Sequence, residues 1–264
     1  MIAADVAAAA SDLLWRSWTE GHKIPALPAD LRPCSRAEGY AIQACLEARS
    51  SAPLFGWKIA ATSAAGQRHI GVDGPLAGRL LAERVYGDGD TVPFGANAMR
   101  VAEAEFAFRI GRDLPPRDTP YAQDEVMAAV ADLHLAIEIP DSRYADFVTA
   151  GAPQLIADNA CAHDFVLGPA AAGDWRALDL AAHRVVGRIE GMLEREGTGA
   201  NVLGDPRLAL TWLANELSGL GLTLGAGQVV TTGTCVVPLP IEPADLVVAD
   251  FGTLGKVSAR IAAR

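Results

Sequence analysis

From Leu54 onward the chain is broken into short apolar runs by Gly, Pro and Asp, and this spacing limits the fold more than any other feature. The runs include residues 100–110, 133–139, 164–167, 185–190, 228–232 and 256–261. Stretches of this length, bounded by turn residues, read as strands. Residues 54–60 read as a further strand, and 62–70, 124–133 and 206–220 as helical interruptions. Before Leu54 the texture differs. Residues 3–18 have helix-forming composition with apolar residues at helical spacing, and 24–33 form a proline-rich loop. Ser35 followed by Glu38 matches a capping box that starts a second helix running to about Arg49. The pattern predicts an α+β fold: a mainly helical region over 1–80 and a mixed, rolled β domain over 81–264. No G-x-G-x-x-G follows a strand into a helix, which argues against a doubly wound sheet.

Charge and composition narrow the function. With 50% hydrophobic and 20% charged residues, the chain can bury a substantial core. A net charge of -10 argues against a nucleic-acid surface, which needs clustered Lys and Arg. No apolar stretch is long enough for a bilayer, and the N-terminus lacks the basic start of a secretory signal. The four cysteines form no C-x-x-C pair, no two histidines stand at H-x-x-x-H spacing, and no G-x-S-x-G elbow is present. The expectation is a cytoplasmic protein without membrane or nucleic-acid partners.

The most informative stretch is 100–110. On a strand, side chains alternate between faces, so Ala102, Ala104, Phe106, Phe108 and Ile110 share an apolar face while Glu103 and Glu105 share the other. Glu138 is the one acid within the apolar run 133–139. Two readings stand at this point. The glutamates are either the exposed face of an antiparallel strand, with Glu138 paired to Arg143 or Arg100, or the oxygen ligands of a hard divalent cation. His134 lies on the face of Glu138 and reads as a hydrogen-bonded core histidine. Lys58, in the apolar run 55–60, reads from composition alone as a surface lysine with its stem along apolar neighbours. The segment 228–234 reads as a strand entering a glycine turn, and Asp158-Asn159 as a turn at a strand edge.

Five motifs occur in order: Gly56-Trp57-Lys58, the run 100–109, Ala136-Ile-Glu-Ile-Pro-Asp-Ser-Arg143, Ala157-Asp-Asn-Ala160 and Thr231-Thr-Gly-Thr234. In this combination, over about residues 15–261, the chain resembles the 2-oxopent-4-enoate hydratase and 4-oxalocrotonate decarboxylase family of the fumarylacetoacetate hydrolase superfamily. The resemblance implies a helical N-terminal region and a C-terminal mixed β-roll. It implies Mg²⁺ or Mn²⁺ held by Glu103, Glu105 and Glu138, and a catalytic Lys58. A small 2-oxo acid would meet Thr232, Gly233, Thr234, Arg143 and Asp158. The implied activity is hydration of a 2-hydroxy-2,4-dienoate to a 4-hydroxy-2-oxo acid in the catabolism of aromatic or related compounds, by a homo-oligomer. Decarboxylation of a 2-oxo-3-enedioate is the alternative. A non-catalytic partner subunit that binds metal and oxo acid is a third possibility from another class. Two positions depart from the pattern: Leu76 stands where the hydratases carry Asp, and Cys161 where Ser commonly follows.

Overall fold

In a computed structural model that describes residues 2–263, two curved sheets and several helices share the main core. The helices are α1 (Ala4–Glu20), α2 (Arg36–Ala44), α3 (Ala64–His69), α4 (Gln123–Ala129), α5 (Ala152–Ala157) and α6 (Pro206–Gly219). The longer strands are β1 (Gly56–Ala60), β2 (Leu76–Leu80), β5 (Val101–Ile110), β6 (Val130–Ile139), β7 (Asp164–Ala170), β8 (Arg184–Ile189), β9 (Leu193–Thr198), β10 (Val229–Thr234), β12 (Leu246–Asp250) and β13 (Lys256–Ile261). Short strands β3 (Val85–Gly87), β4 (Thr91–Val92) and β11 (Leu239–Pro240) complete the set. The larger sheet runs β2-β1-β10-β5-β6-β7-β3, with β11 on the far half of β5, and the smaller runs β4-β13-β12-β8-β9. Among the described residues no helix is long and apolar enough to cross a membrane.

The expected alternation of β5 is realised. Ala102, Ala104, Phe106, Phe108 and Ile110 are all buried and belong to the main core, where Phe106 meets Phe251 edge-on at 5.0 Å. Burying aromatic and branched side chains on this face fixes the strand's register, because a one-residue slip would turn every one of them outward. The glutamates are thereby committed to the opposite face.

The N-terminal helices do form. Ser35 Oγ accepts from the Glu38 N–H at the start of α2, as the capping box predicts. Their own small core is Ala7, Ala10, Leu14, Leu27 and Ile42, closed by Tyr144 and Ala157 from beyond β6. The boundary at residue 80 is corrected, however. β1 and β2 belong to the larger sheet: β1 pairs in parallel with β10 and antiparallel with β2. The helical region therefore ends near Arg49, and residues 56–80 are structurally part of the β domain. The helix foreseen over 124–133 also ends early, at Ala129. There the chain enters β6 directly, because from Val130 onward burial against β5 and β7 outweighs helical periodicity.

Candidate metal centre

Four neighbouring strands carry one row of polar side chains. β6 pairs with β5 in the register Glu103↔Glu138 and Glu105↔Ala136, so Glu138 lands directly opposite Glu103 on the same face. On the other flank β10 sets Thr231 opposite Ala107 and Thr234 opposite Glu105, with a bulge between them, and β1 sets Lys58 opposite Thr231. The first of the two readings of these glutamates, an exposed strand face, does not hold. Glu105 and Glu138 are fully buried, Glu103 only partly exposed, and Arg100 pairs at the surface with Glu242 instead.

Like charges directly opposed on a sheet repel, and burial multiplies the cost. The local partners do not balance it. Glu105 Oε2 accepts from the Thr231 hydroxyl at 2.5 Å and from the Gly233 N–H at 2.8 Å. Lys58, equally buried, places Nζ 3.0 Å from Glu138 Oε1 and donates to the Ala160 carbonyl at 3.0 Å. Yet Glu105 Oε1 and Glu138 Oε2 are buried without a hydrogen-bond partner, and Glu138 Oε1 has only the Lys58 ammonium. Ligand oxygens of the three glutamates lie within 4.8 Å of one another, among the described residues the one such cluster. Three carboxylates and one ammonium leave two negative charges uncompensated, the charge of one divalent cation. Orphaned buried oxygens, all-oxygen donors and that charge together fit a hard ion of the Mg²⁺ type.

Titration follows the same physics. Burial, and then the charge of Glu138, pushes the Glu103 carboxyl up to about 7. Burial drives Glu105 well above the usual range, with Glu138 and Glu103 adding to it. Burial also raises Glu138 against the opposing pull of Lys58. At Lys58 desolvation acts downward, but Glu138 and Glu103 outweigh it and the ammonium is held.

The supporting residues include ones that spacing did not single out. Thr231, rather than Thr232 or Thr234, holds Glu105. The Thr232 hydroxyl donates to the Phe106 carbonyl at 2.9 Å, and that of Thr234 to the Val236 carbonyl at 2.7 Å. Both hydroxyl protons are thus engaged within the protein. Regular pairing with Ala107 sets Thr231 on the glutamate face, and the bulge that follows it, before Thr234, brings the Gly233 N–H onto the carboxylate. Gly233 sits at φ 111°, and a Cβ there would lie 2.0 Å from Thr62 Oγ1, so only glycine fits.

Arg143 and Asp158, which the resemblance sets at the substrate, face each other in the structure. They form a buried pair, Arg143 Nε donating to Asp158 Oδ1, and the Ser142 hydroxyl donates to Asp158 Oδ2 at 2.6 Å. Arg143 Nη1 donates to the Asp141 and Ala162 carbonyls, both at 2.9 Å, and Nη2 to the Asp158 carbonyl, while the guanidinium lies 4.6 Å from the Trp18 ring centre. Each nitrogen of the guanidinium is thus engaged within the protein. The pair pins the chain just before the turn that carries Ala160. That turn follows α5 rather than a strand edge, and its residues Asn159, Ala160 and Cys161 all have left-handed backbone, φ 55°, 50° and 60°. Such conformations cost about 1–3 kcal/mol each and persist only when their surroundings over-determine them. His134 is hydrogen-bonded as expected, its Nδ1 3.0 Å from the Gly168 carbonyl, but it is only partly buried rather than in the core.

With this geometry in hand, similarity to known proteins is informative. Residues 76–262 match the family described as fumarylacetoacetate (FAA) hydrolase C-terminal. A 2-keto-4-pentenoate hydratase from Burkholderia vietnamiensis (strain G4 / LMG 22486) is 36% identical over 208 residues, covering 78% of this chain and 77% of that protein. A 2-keto-4-pentenoate hydratase from Paraburkholderia xenovorans (strain LB400) is 31% identical over 251 residues, covering 94% and 92%. Among solved structures, 4-oxalocrotonate decarboxylase from Pseudomonas putida G7, complexed with magnesium and adipate, superposes with a TM-score of 0.89 at 26% identity over 99% of both chains. Sequence and fold agree, and the chain belongs to the fumarylacetoacetate hydrolase family.

Proposed function

We propose that this protein is a divalent-metal-dependent hydro-lyase that converts a 2-hydroxy-2,4-dienoate of the 2-oxopent-4-enoate type to a 4-hydroxy-2-oxo acid. The observation that carries the reading is the buried trio Glu103, Glu105 and Glu138, two negative charges in excess, with Lys58 alongside. Glu103, Glu105 and Glu138 would hold the ion, Mg²⁺ or Mn²⁺. When bound, it would supply Lewis-acid stabilisation of negative charge developing on the 2-oxygen of the substrate. Lys58 is the protic group of the site. Its ammonium, held between Glu138 and the Ala160 carbonyl, is suited to proton transfer to the dienol or to binding the substrate carboxylate. Ala107, Ala136 and Phe165, buried on the same face of the sheet, keep the neighbourhood apolar and strengthen these charge interactions. Ketonisation of the dienol by proton transfer, then addition of water to the conjugated enone, gives the product. A cytoplasmic setting is supported by four free cysteines, which suit a reducing compartment, and a homo-oligomer completes the reading.

A second reading has an observation in its favour. Leu76 is fully buried at the start of β2, opposite Ala60. Strand alternation puts it with Gly78 on the side of Lys58, where the resemblance leads one to expect a carboxylate. Water addition gains from a group that orients water, whereas loss of CO₂ from a 2-oxo-3-enedioate needs only a stabilised enolate and a proton. The test is incubation with Mg²⁺ and freshly generated 2-hydroxypenta-2,4-dienoate. Loss of the dienol absorbance with formation of 4-hydroxy-2-oxopentanoate is the expected result. CO₂ release from 2-oxohex-3-enedioate without hydration would select the decarboxylase instead. Turnover of neither by folded, metal-loaded protein would leave a binding partner and overturn the enzymatic reading.

A further inference from the structure

We propose that Asn159 is a positioning residue for Lys58, acting through the left-handed turn it opens; the inference rests on Lys58 serving the reaction as described above. The ammonium of Lys58 is fixed from two sides, by Glu138 and by the Ala160 carbonyl. The second of these depends on a turn of three consecutive non-glycine residues in left-handed backbone, out of seven such residues among those described. Something must hold it there.

Asn159 is that clamp. Its side-chain Oδ1 accepts from the Arg79 N–H at 2.6 Å, and its Nδ2 donates to the Arg79 carbonyl at 2.8 Å. β2 is the edge of the larger sheet, so the amide group completes the outer edge of Arg79 as a neighbouring strand would. Only an amide offers donor and acceptor together at this reach, and asparagine is among the few residues that tolerate left-handed backbone. Both requirements select Asn. The corridor to the turn is kept open by Gly78, which pairs with Lys58 across the strands. A Cβ on Gly78 would lie 2.4 Å from the Asn159 carbonyl and 3.0 Å from Lys58 Cγ. The lysine stem, the glycine and the turn are thus fitted to one another, and none of the Asn159 side-chain groups is among the candidate metal ligands.

The test is Asn159→Gly, which removes the clamp while keeping a residue at ease with φ 55°. Mg²⁺ affinity and stoichiometry are measured by calorimetry, kcat and KM on the substrate found active, and the position of Lys58 by crystallography. The expected result is a kcat lower by about 10- to 100-fold, the scale of a catalytic group misplaced by about 1 Å. Mg²⁺ stoichiometry and affinity should be unchanged, KM altered less than about threefold, and Nζ displaced from Ala160. A kcat within twofold of the parent, or one that falls only in step with lost Mg²⁺ stoichiometry, would overturn the proposal. Lys58→Met serves as the separate control. If that change leaves turnover intact, the assignment of Lys58 fails; if it abolishes turnover while Asn159→Gly does not, only the positioning role fails.

Discussion

Replacing Asp158 by alanine separates a structural ion pair from a substrate contact. Arg143 is 2% exposed and Asp158 1%. The change would strip the Arg143 Nε and backbone N–H, and the Ser142 hydroxyl, of their acceptor in a place water does not reach. Removing one partner of a buried pair costs about 3–5 kcal/mol, since a charge is left uncompensated. Here Nη1 keeps two carbonyl acceptors and Nη2 one. The loss should therefore fall at the lower end, about 3 kcal/mol. At about 2–4 °C per kcal/mol for a chain of this size, the melting temperature should drop by about 6–12 °C. Urea denaturation of Asp158→Ala, Arg143→Met and the double variant provides the assay. The double variant should lose less than the two single changes combined, because it leaves no buried charge behind. Stability within about 1 kcal/mol of the parent, together with a raised KM, would refute the reasoning. It would show that the carboxylate faces the substrate rather than Arg143.

Three further outcomes follow from the site. Thr231→Val removes a hydrogen bond to Glu105 Oε2 without changing shape, and should weaken Mg²⁺ binding by about 10- to 100-fold in calorimetry, as loss of an outer partner does; unchanged affinity would remove Thr231 from the site. Gly233→Ala meets both the φ of 111° and the Thr62 hydroxyl, and should cost about 2–5 kcal/mol in urea denaturation; an unaltered midpoint would contradict the packing described. The raised carboxyl of Glu103, about 7 in the metal-free fold, gives a pH effect of definite sign. A group whose folded pKa exceeds its unfolded value stabilises below the unfolded value, and that stability is lost as pH rises through the folded one. In EDTA the melting temperature should fall as pH rises from about 4.5 to about 7, and Mg²⁺ should abolish the fall; equal slopes with and without Mg²⁺ would argue against the trio as the ion's site.

How much of this was legible from the residues alone depends on how local the signal is. The alternation in β5 revealed its two faces, since strand period is a local property and the core later enforced it. α6 was legible for similar reasons, with Asp205 accepting from the Arg207 N–H ahead of Pro206. The pairing of Glu103 with Glu138 is a register between strands, and a register cannot be read from either strand by itself. Nor was the choice of Thr231 over its neighbours, because it rests on the pairing of β10 with β5 and on a bulge just beyond it. The left-handed turn at Asn159 carries no glycine to announce it and is held by groups on β2 and Arg143, remote in the chain. By type alone Arg143 suits a structural salt bridge as well as an anion contact. Its actual partner, fifteen residues on, became evident only when the chain was folded.

The central claim is that Glu103, Glu105 and Glu138 form one divalent-metal site. Titrating Mg²⁺ into the parent protein and into Glu105→Gln by calorimetry tests it most directly. The parent should bind one Mg²⁺ per chain. The variant should bind at least about 100-fold more weakly, beyond the range typical of an outer partner. Its melting temperature in EDTA should be no lower than the parent's, because a crowded buried charge has been removed while Thr231 and the Gly233 N–H keep an oxygen to bond. Equal Mg²⁺ affinity in the two proteins would contradict the account.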